Sequence, residues 1–272
     1  MKNFAKSCAF FLVFSTLFFG GVSVVKASDN TYISSNDEVP FAFSSKQITI
    51  DNFKWSIGDY LTLSAPQLTV KPATGSLFNF PGAANIVALW NQESVATFMG
   101  FKIKLAPGQL GVKYETGKFF VIDATRGLSG KISGSQDLFG PVGIRMNGAI
   151  SFVGDAYMDL LNPSASGGQG KLEFPLRLNV PIPGFGDCFA YSKGTADVFY
   201  QEKTVMLKNI VLENSLTRVT GEATYNLETN QSNLNLEIFS DSDKVKFLMS
   251  GVALMSGVTK LGSGHWKYEF SN

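Results

Sequence analysis

Apolar and polar residues alternate through most of the chain. Val142, Ile144, Met146, Ile150 and Phe152 share one face of a run whose other face carries Gly143, Arg145, Asn147, Ala149 and Ser151. From Leu172 to Ile182 the apolar set is Leu172, Phe174, Leu176, Leu178, Val180 and Ile182, interleaved with Lys171, Glu173, Pro175, Arg177, Asn179 and Pro181. A period of two is that of a strand with one dry and one wet face. It recurs at Ile48/Ile50, Leu61/Leu63, Leu68/Val70, Phe101/Ile103/Leu105, Val205/Leu207, Val219–Leu227, Leu234/Leu236/Ile238 and Trp266/Tyr268/Phe270. Glu228-Thr229-Asn230-Gln231 reads as the loop of a hairpin. Strands this closely spaced, without long helices between them, predict an all-β fold that is mainly an antiparallel meander.

Two segments depart from this pattern. Val245, Leu248, Met249, Val252 and Met255 follow helical spacing after Ser240 and Ser242, which suit N-caps, so a short helix is predicted over 243–256. Ile86–Trp90 reads either as the start of a helix or as a buried strand. Asn162–Gly170, rich in Gly and Ser, is a loop and a candidate sub-boundary (162–170) within a single β-rich domain over 28–272. Pro183-Gly184 marks a second break within Pro181–Gly194.

A sheet with one apolar face must cover it. The cover can be a second sheet, closure on itself, membrane lipid or a bound apolar ligand. Pro175 and Pro181 lack the N–H that an interior strand uses, so 172–182 is expected at a sheet edge, which argues against a closed transmembrane barrel. An open curled sheet forming a groove, or a sandwich, remains. In the groove reading, Leu172, Phe174, Leu176, Leu178 and Val180 form the ligand-binding face.

The first 27 residues change the setting. Lys2 and Lys6 precede an apolar run from Cys8 to about Phe19, and Val25-Lys26-Ala27 presents small or apolar residues where a signal peptidase acts. Residues 1–27 are therefore expected to be a cleaved signal peptide, with an uncleaved anchor as the alternative. Its removal takes three lysines and no acid, which converts a net charge of +1 to −2, with 20 basic residues against 22 acidic ones. That balance, with no basic cluster, argues against a nucleic-acid partner and against simple electrostatic attachment to anionic lipid. Of the two cysteines, Cys8 leaves with the leader and Cys188 remains, so no intrachain disulfide is expected. An exported, cysteine-poor β protein fits the periplasm or cell envelope of a Gram-negative bacterium.

Met206–Phe239, MLKNIVLENSLTRVTGEATYNLETNQSNLNLEIF, resembles the repeating unit of AsmA/TamB-like bacterial envelope proteins. There a strand of the form v-x-G-x-a-x-y-x-l turns through a polar loop into l-x-l-x-i. Here Val219, Gly221, Ala223, Tyr225 and Leu227 are followed by Leu234, Leu236 and Ile238. The stretch 243–256 and Gly262-Ser263-Gly264 with its strand are similar to the way such modules finish. The resemblance implies a sheet curled into a gutter with an apolar lining that handles phospholipid, and a role in outer-membrane biogenesis.

Catalytic chemistry finds little purchase. His265 reads as a half-exposed strand histidine, since a catalytic role needs a nucleophile oriented by it. Neither a G-x-S-x-G elbow nor histidines at metal spacing occur. Cys188 reads as a small buried residue. Asp155 and Asp159 would stack on one helix face as an acid/base pair or, more plainly, form the polar edge of a loop helix. Asp241-Ser242-Asp243 lacks the rest of a calcium loop and reads as helix capping. Gly167, Gly168 and Gly170 open no helix and so cradle no phosphate, and Asn230-Gln231-Ser232 belongs to the hairpin loop. The expectation is a non-enzymatic envelope protein without cofactor or metal. Its partner is a lipid or a membrane-associated protein. An outer-membrane β-barrel or pore, or a secreted β-sandwich hydrolase or carbohydrate-binding module, is the alternative.

Overall fold

The computed structural model describes residues 32–33, 41–43, 47–57, 61–72, 83–98, 100–115, 119–139, 142–159, 167–253 and 257–272. The expected leader at 1–27 lies outside them, as do 162–166 of the predicted loop and Met255 of the predicted helix. The strands are β1 (Tyr32–Ile33), β2 (Phe41–Phe43), β3 (Ile48–Ile57), β4 (Leu61–Pro72), β5 (Ala83–Trp90), β6 (Ser94–Phe98), β7 (Phe101–Leu105), β8 (Gly108–Glu115), β9 (Phe119–Phe139), β10 (Val142–Asp159) and β11 (Gly167–Asn179). Helix α1 (Phe185–Cys188) follows, then β12 (Ala190–Gln201), β13 (Thr204–Glu213), β14 (Arg218–Asn226) and β15 (Ser232–Phe239). Helix α2 (Asp243–Val252) leads to β16 (Val258–Gly262) and β17 (His265–Ser271). The fold is all-β and mainly an antiparallel meander, with one short helix near the C-terminal end. Ile86–Trp90 resolves as strand, within β5.

The chain divides into two compact units. In the first unit, β1 to β5 pair in succession and β5 then pairs with β8, all antiparallel. Among its described residues Ile50, Phe53, Ala65 and Trp90 are the buried apolar ones. Trp90 also donates its indole N–H to the Ala106 carbonyl at 2.7 Å, which satisfies the one polar atom of a buried ring.

The second unit, which includes 124–156 and 164–272, carries the larger core. Its strands run β11–β12–β13–β14–β15–β17–β16, each antiparallel to the next. β10 lies beside β11: an added side chain at Gly154 would run into the Gln169 backbone, and one at Gly148 would meet the Pro175 ring.

This neighbour corrects the edge expectation for residues 172–182. β11 is an interior strand with β10 on one side and β12 on the other. Its proline is tolerated because the register with β12 shifts between Phe174 and Leu176, so Pro175 sits at a bulge, where no ladder N–H is required. The strand stops at Asn179, so Val180 and Ile182 belong to the connection into α1 and not to the strand face. There the Ile182 N–H donates to the Val180 carbonyl at 2.7 Å in a tight turn.

Helix α2 begins where expected. Ser242 is its N-cap, and Ser240 braces the entry by accepting the Ser242 N–H at 3.1 Å and donating to the Leu216 carbonyl at 2.6 Å. Val245, Leu248, Met249 and Val252 make the buried stripe. Among the described residues no helix is long and apolar enough to cross a membrane.

Candidate functional site: the inner face of the C-terminal sheet

Register and alternation together put the apolar residues of the second unit on one face, in rows that cross the strands. The first row is Phe174, Gly194, Leu212, Val219, Ile238 and Trp266, each paired with the next. Every member is buried. Four residues further along each strand, and five on β13 across its bulge, a row pairs Gly170, Val198, Leu207, Ala223, Leu234 and Phe270. Beyond that come Gly168, Tyr200, Val205, Tyr225 and Ser232.

Burial falls off from the first row to the last. Phe185, Cys188 and Phe189, in and just after α1, and the buried stripe of α2 join the first row in one cluster, so this end of the face is roofed by the chain itself. In the next row Ala223 and Leu234 are buried, while Gly170, Val198, Leu207 and Phe270 are half-buried. In the last row Gly168, Tyr200, Val205 and Tyr225 are half-buried, while Ser232 at its β15 end is buried. The face continues onto β10, where Ile144, Met146 and Ile150 are also half-buried against the cluster. Phe152 lays its ring over Gly170, in the space an added side chain there would need. The opposite face is mainly polar, with Lys171, Glu173, Lys193, Lys208 and Glu222 exposed among a few half-buried apolar residues such as Phe199, Met206 and Phe239.

The five residues expected to line a ligand face are therefore divided. Phe174, Leu176 and Leu178 are buried at 4%, 8% and 4% exposure and belong to the roofed core. Leu172 lies at the margin, half-buried against it. Val180 is half-buried too, but it lies beyond the strand. The open part of the face is contributed by β10 and by the far halves of β12, β13 and β14.

A polar knot closes the roofed end, built on the turn between β13 and β14. Asn214 uses its whole amide. Its Nδ2 donates to the Cys188 and Ala190 carbonyls, both at 3.0 Å, and its Oδ1 accepts the N–H groups of Leu216 and Thr217, both at 2.8 Å. The Thr217 hydroxyl donates to the Cys188 carbonyl at 3.0 Å, which leaves its oxygen to accept from the Tyr191 phenol at 2.8 Å. Burial pushes the Tyr191 pKa up to about 12, against a smaller lowering by Thr217 and with a further raise from Cys188. Burial likewise raises the pKa of Tyr268. Asn214 was passed over in the sequence, although Glu213-Asn214-Ser215 between two apolar runs is a turn signal. Its reach back to α1 leaves no such signal.

Comparison with family models, with curated proteins and with solved structures finds no match. The site therefore rests on its own chemistry. Cys188 is fully buried and free, as a small packed residue. His265 lies half-buried on the outer face, stacked on Phe239 with ring centroids 4.3 Å apart and its Nε2 3.1 Å from Glu237 Oε2. Asp155 and Asp159 stand in strand β10, so the helical stacking expected of them does not occur. Asn230 sits in the hairpin turn, where its Oδ1 accepts the Tyr225 hydroxyl at 2.9 Å. Among the described residues no three of His, Cys, Asp and Glu gather as a metal-binding group.

Proposed function

We propose that this chain is a non-enzymatic, exported protein of a Gram-negative envelope. In this reading the inner face of its C-terminal sheet binds lipid, in carriage between membranes or in membrane assembly. One observation carries it. The apolar face runs past its helical roof, from rows that are buried to rows, with no charged side chain among them, that stay half-open to solvent. The paired row from Gly170 to Phe270 crosses six strands. At ~4.8 Å between strands that is about 24 Å, longer than the ~15 Å half-thickness of a bilayer core that one acyl chain fills. The leader at 1–27 and the resemblance of 206–270 to AsmA/TamB-like modules support the same reading.

Native mass spectrometry of the exported protein tests it. Wild type is expected to carry co-purified phospholipid. Leu207→Asn places an amide on a half-buried part of the face where water can still reach it, so the variant should keep its thermal midpoint within a few degrees and lose the lipid. Wild-type protein that is free of lipid, even after incubation with phospholipid vesicles, would sink the proposal.

A further inference from the structure

Among the described residues the large apolar side chains left exposed are Val153, Phe247 and Leu261, at 47%, 79% and 51%. The last two belong to one corner. Phe247 lies on the solvent stripe of α2, with Lys244 one turn before it and Ser250 and Gly251 one turn after, all exposed. Leu261 follows exposed Thr259 and Lys260 on β16. The turn joining β16 to β17 is held against the start of α2, because Ser240 donates its N–H to the Gly264 carbonyl at 2.9 Å. An added side chain at Gly264 would stand 3.5 Å from Lys246 Cε. Lys246 is half-buried here and pairs with Asp243 at 3.5 Å. Beside β16, Lys267 and Glu269 pair at 2.7 Å, so with both ion pairs set aside Lys244 and Lys260 remain against one exposed acid, Asp241.

We infer that this corner is a docking surface for an anionic bilayer. Phe247 and Leu261 enter the headgroup boundary, while Lys244 and Lys260 meet lipid phosphates. An exposed aromatic ring costs nothing to remove from water and gains on burial in acyl chains. A lysine within a Debye length of an anionic leaflet adds several-fold to the association constant. The observation is separate from the half-open face, and the inference does not depend on lipid being carried there. The two would cooperate, because the buried stripe of α2 roofs the closed end of that sheet while its exposed stripe rests on the membrane.

The exported protein offers a clean probe, because Cys188 is fully buried and a new surface cysteine is labelled selectively. Phe247→Cys carrying an environment-sensitive fluorophore is compared with Asn233→Cys, an exposed site on the outer face of β15. Each is mixed with vesicles of phosphatidylethanolamine and phosphatidylglycerol, or of phosphatidylcholine alone. Emission at 247 should rise several-fold on the anionic vesicles only and fall back in high salt, with 233 unchanged. Lys244→Glu with Lys260→Glu, added to the 247 probe, should abolish the rise without moving the thermal midpoint. Emission at 247 that stays flat on anionic vesicles, or that rises equally at 247 and 233, overturns the inference. Native mass spectrometry of the same samples scores lipid on the sheet face independently, so either proposal can fail alone.

Discussion

Tyr191 shows how one side chain can set a limit on stability. Its phenol is buried and held neutral, with a pKa of about 12 against the ordinary 10.0. A group whose pKa rises on folding stabilises fully below the unfolded value and loses that contribution as pH climbs through the folded one. Between about pH 10 and pH 12 the fold should therefore lose on the order of 3 kcal/mol through this residue alone. Tyr191→Phe is expected to cost about 1 kcal/mol at neutral pH, from the lost bond to Thr217, and to flatten that alkaline decline. Urea titrations of both proteins across this range measure the difference. An identical alkaline slope in the variant would assign the loss to other groups.

At the scale of elements, much of the C-terminal sheet was legible. Val219 to Tyr225 and Leu234 to Ile238 alternate without a break, and the polar Glu228–Gln231 between them can only turn, so a hairpin was the single consistent reading. The helix was legible from five apolar residues at helical spacing, and the four that fall among the described residues make its buried face. The edge assignment of β11 failed because a proline's missing N–H has two remedies, an edge or a bulge. Alternation is silent between them, since a bulge is a property of the pair and not of the strand. Pro175→Val separates the two. At an edge it would be tolerated and would invite self-association. At an interior bulge it adds an N–H with no ladder partner and frees the unfolded chain, so stability should fall by about 1–2 kcal/mol with no change in oligomeric state. Chemical denaturation and size-exclusion chromatography read both quantities.

For the molecule as a whole, the dry face was legible and its division was not. Alternation names the residues that point inward but carries no information on how far a roof extends. Phe174 and Leu207 look alike in sequence, yet Phe174 is 4% exposed under the helices and Leu207 lies half-open. The consequence is a contrast between two substitutions. Phe174→Gln buries an amide with no partner and loses a packed ring, so about 3–5 kcal/mol should be lost, enough to unfold much of a marginally stable domain. Calorimetry of Phe174→Gln beside Leu207→Asn checks this; similar midpoints for the two would show the face to be equally open along its length.

The roof also arrives late. β11 to β15 precede α2 in the chain, and β15 takes β17 as its neighbour, not the nearer β16. A chain threaded through a membrane with its N-terminal end first would complete five strands before α2 and β17 emerge. During that interval Leu212, Val219, Leu236 and Ile238 would have only α1 and Phe189 of their roof in place. A nascent sheet of this kind invites a holding chaperone on the far side of the membrane. The time between the exit of β15 and that of β17 is then the window in which the protein is most exposed to aggregation.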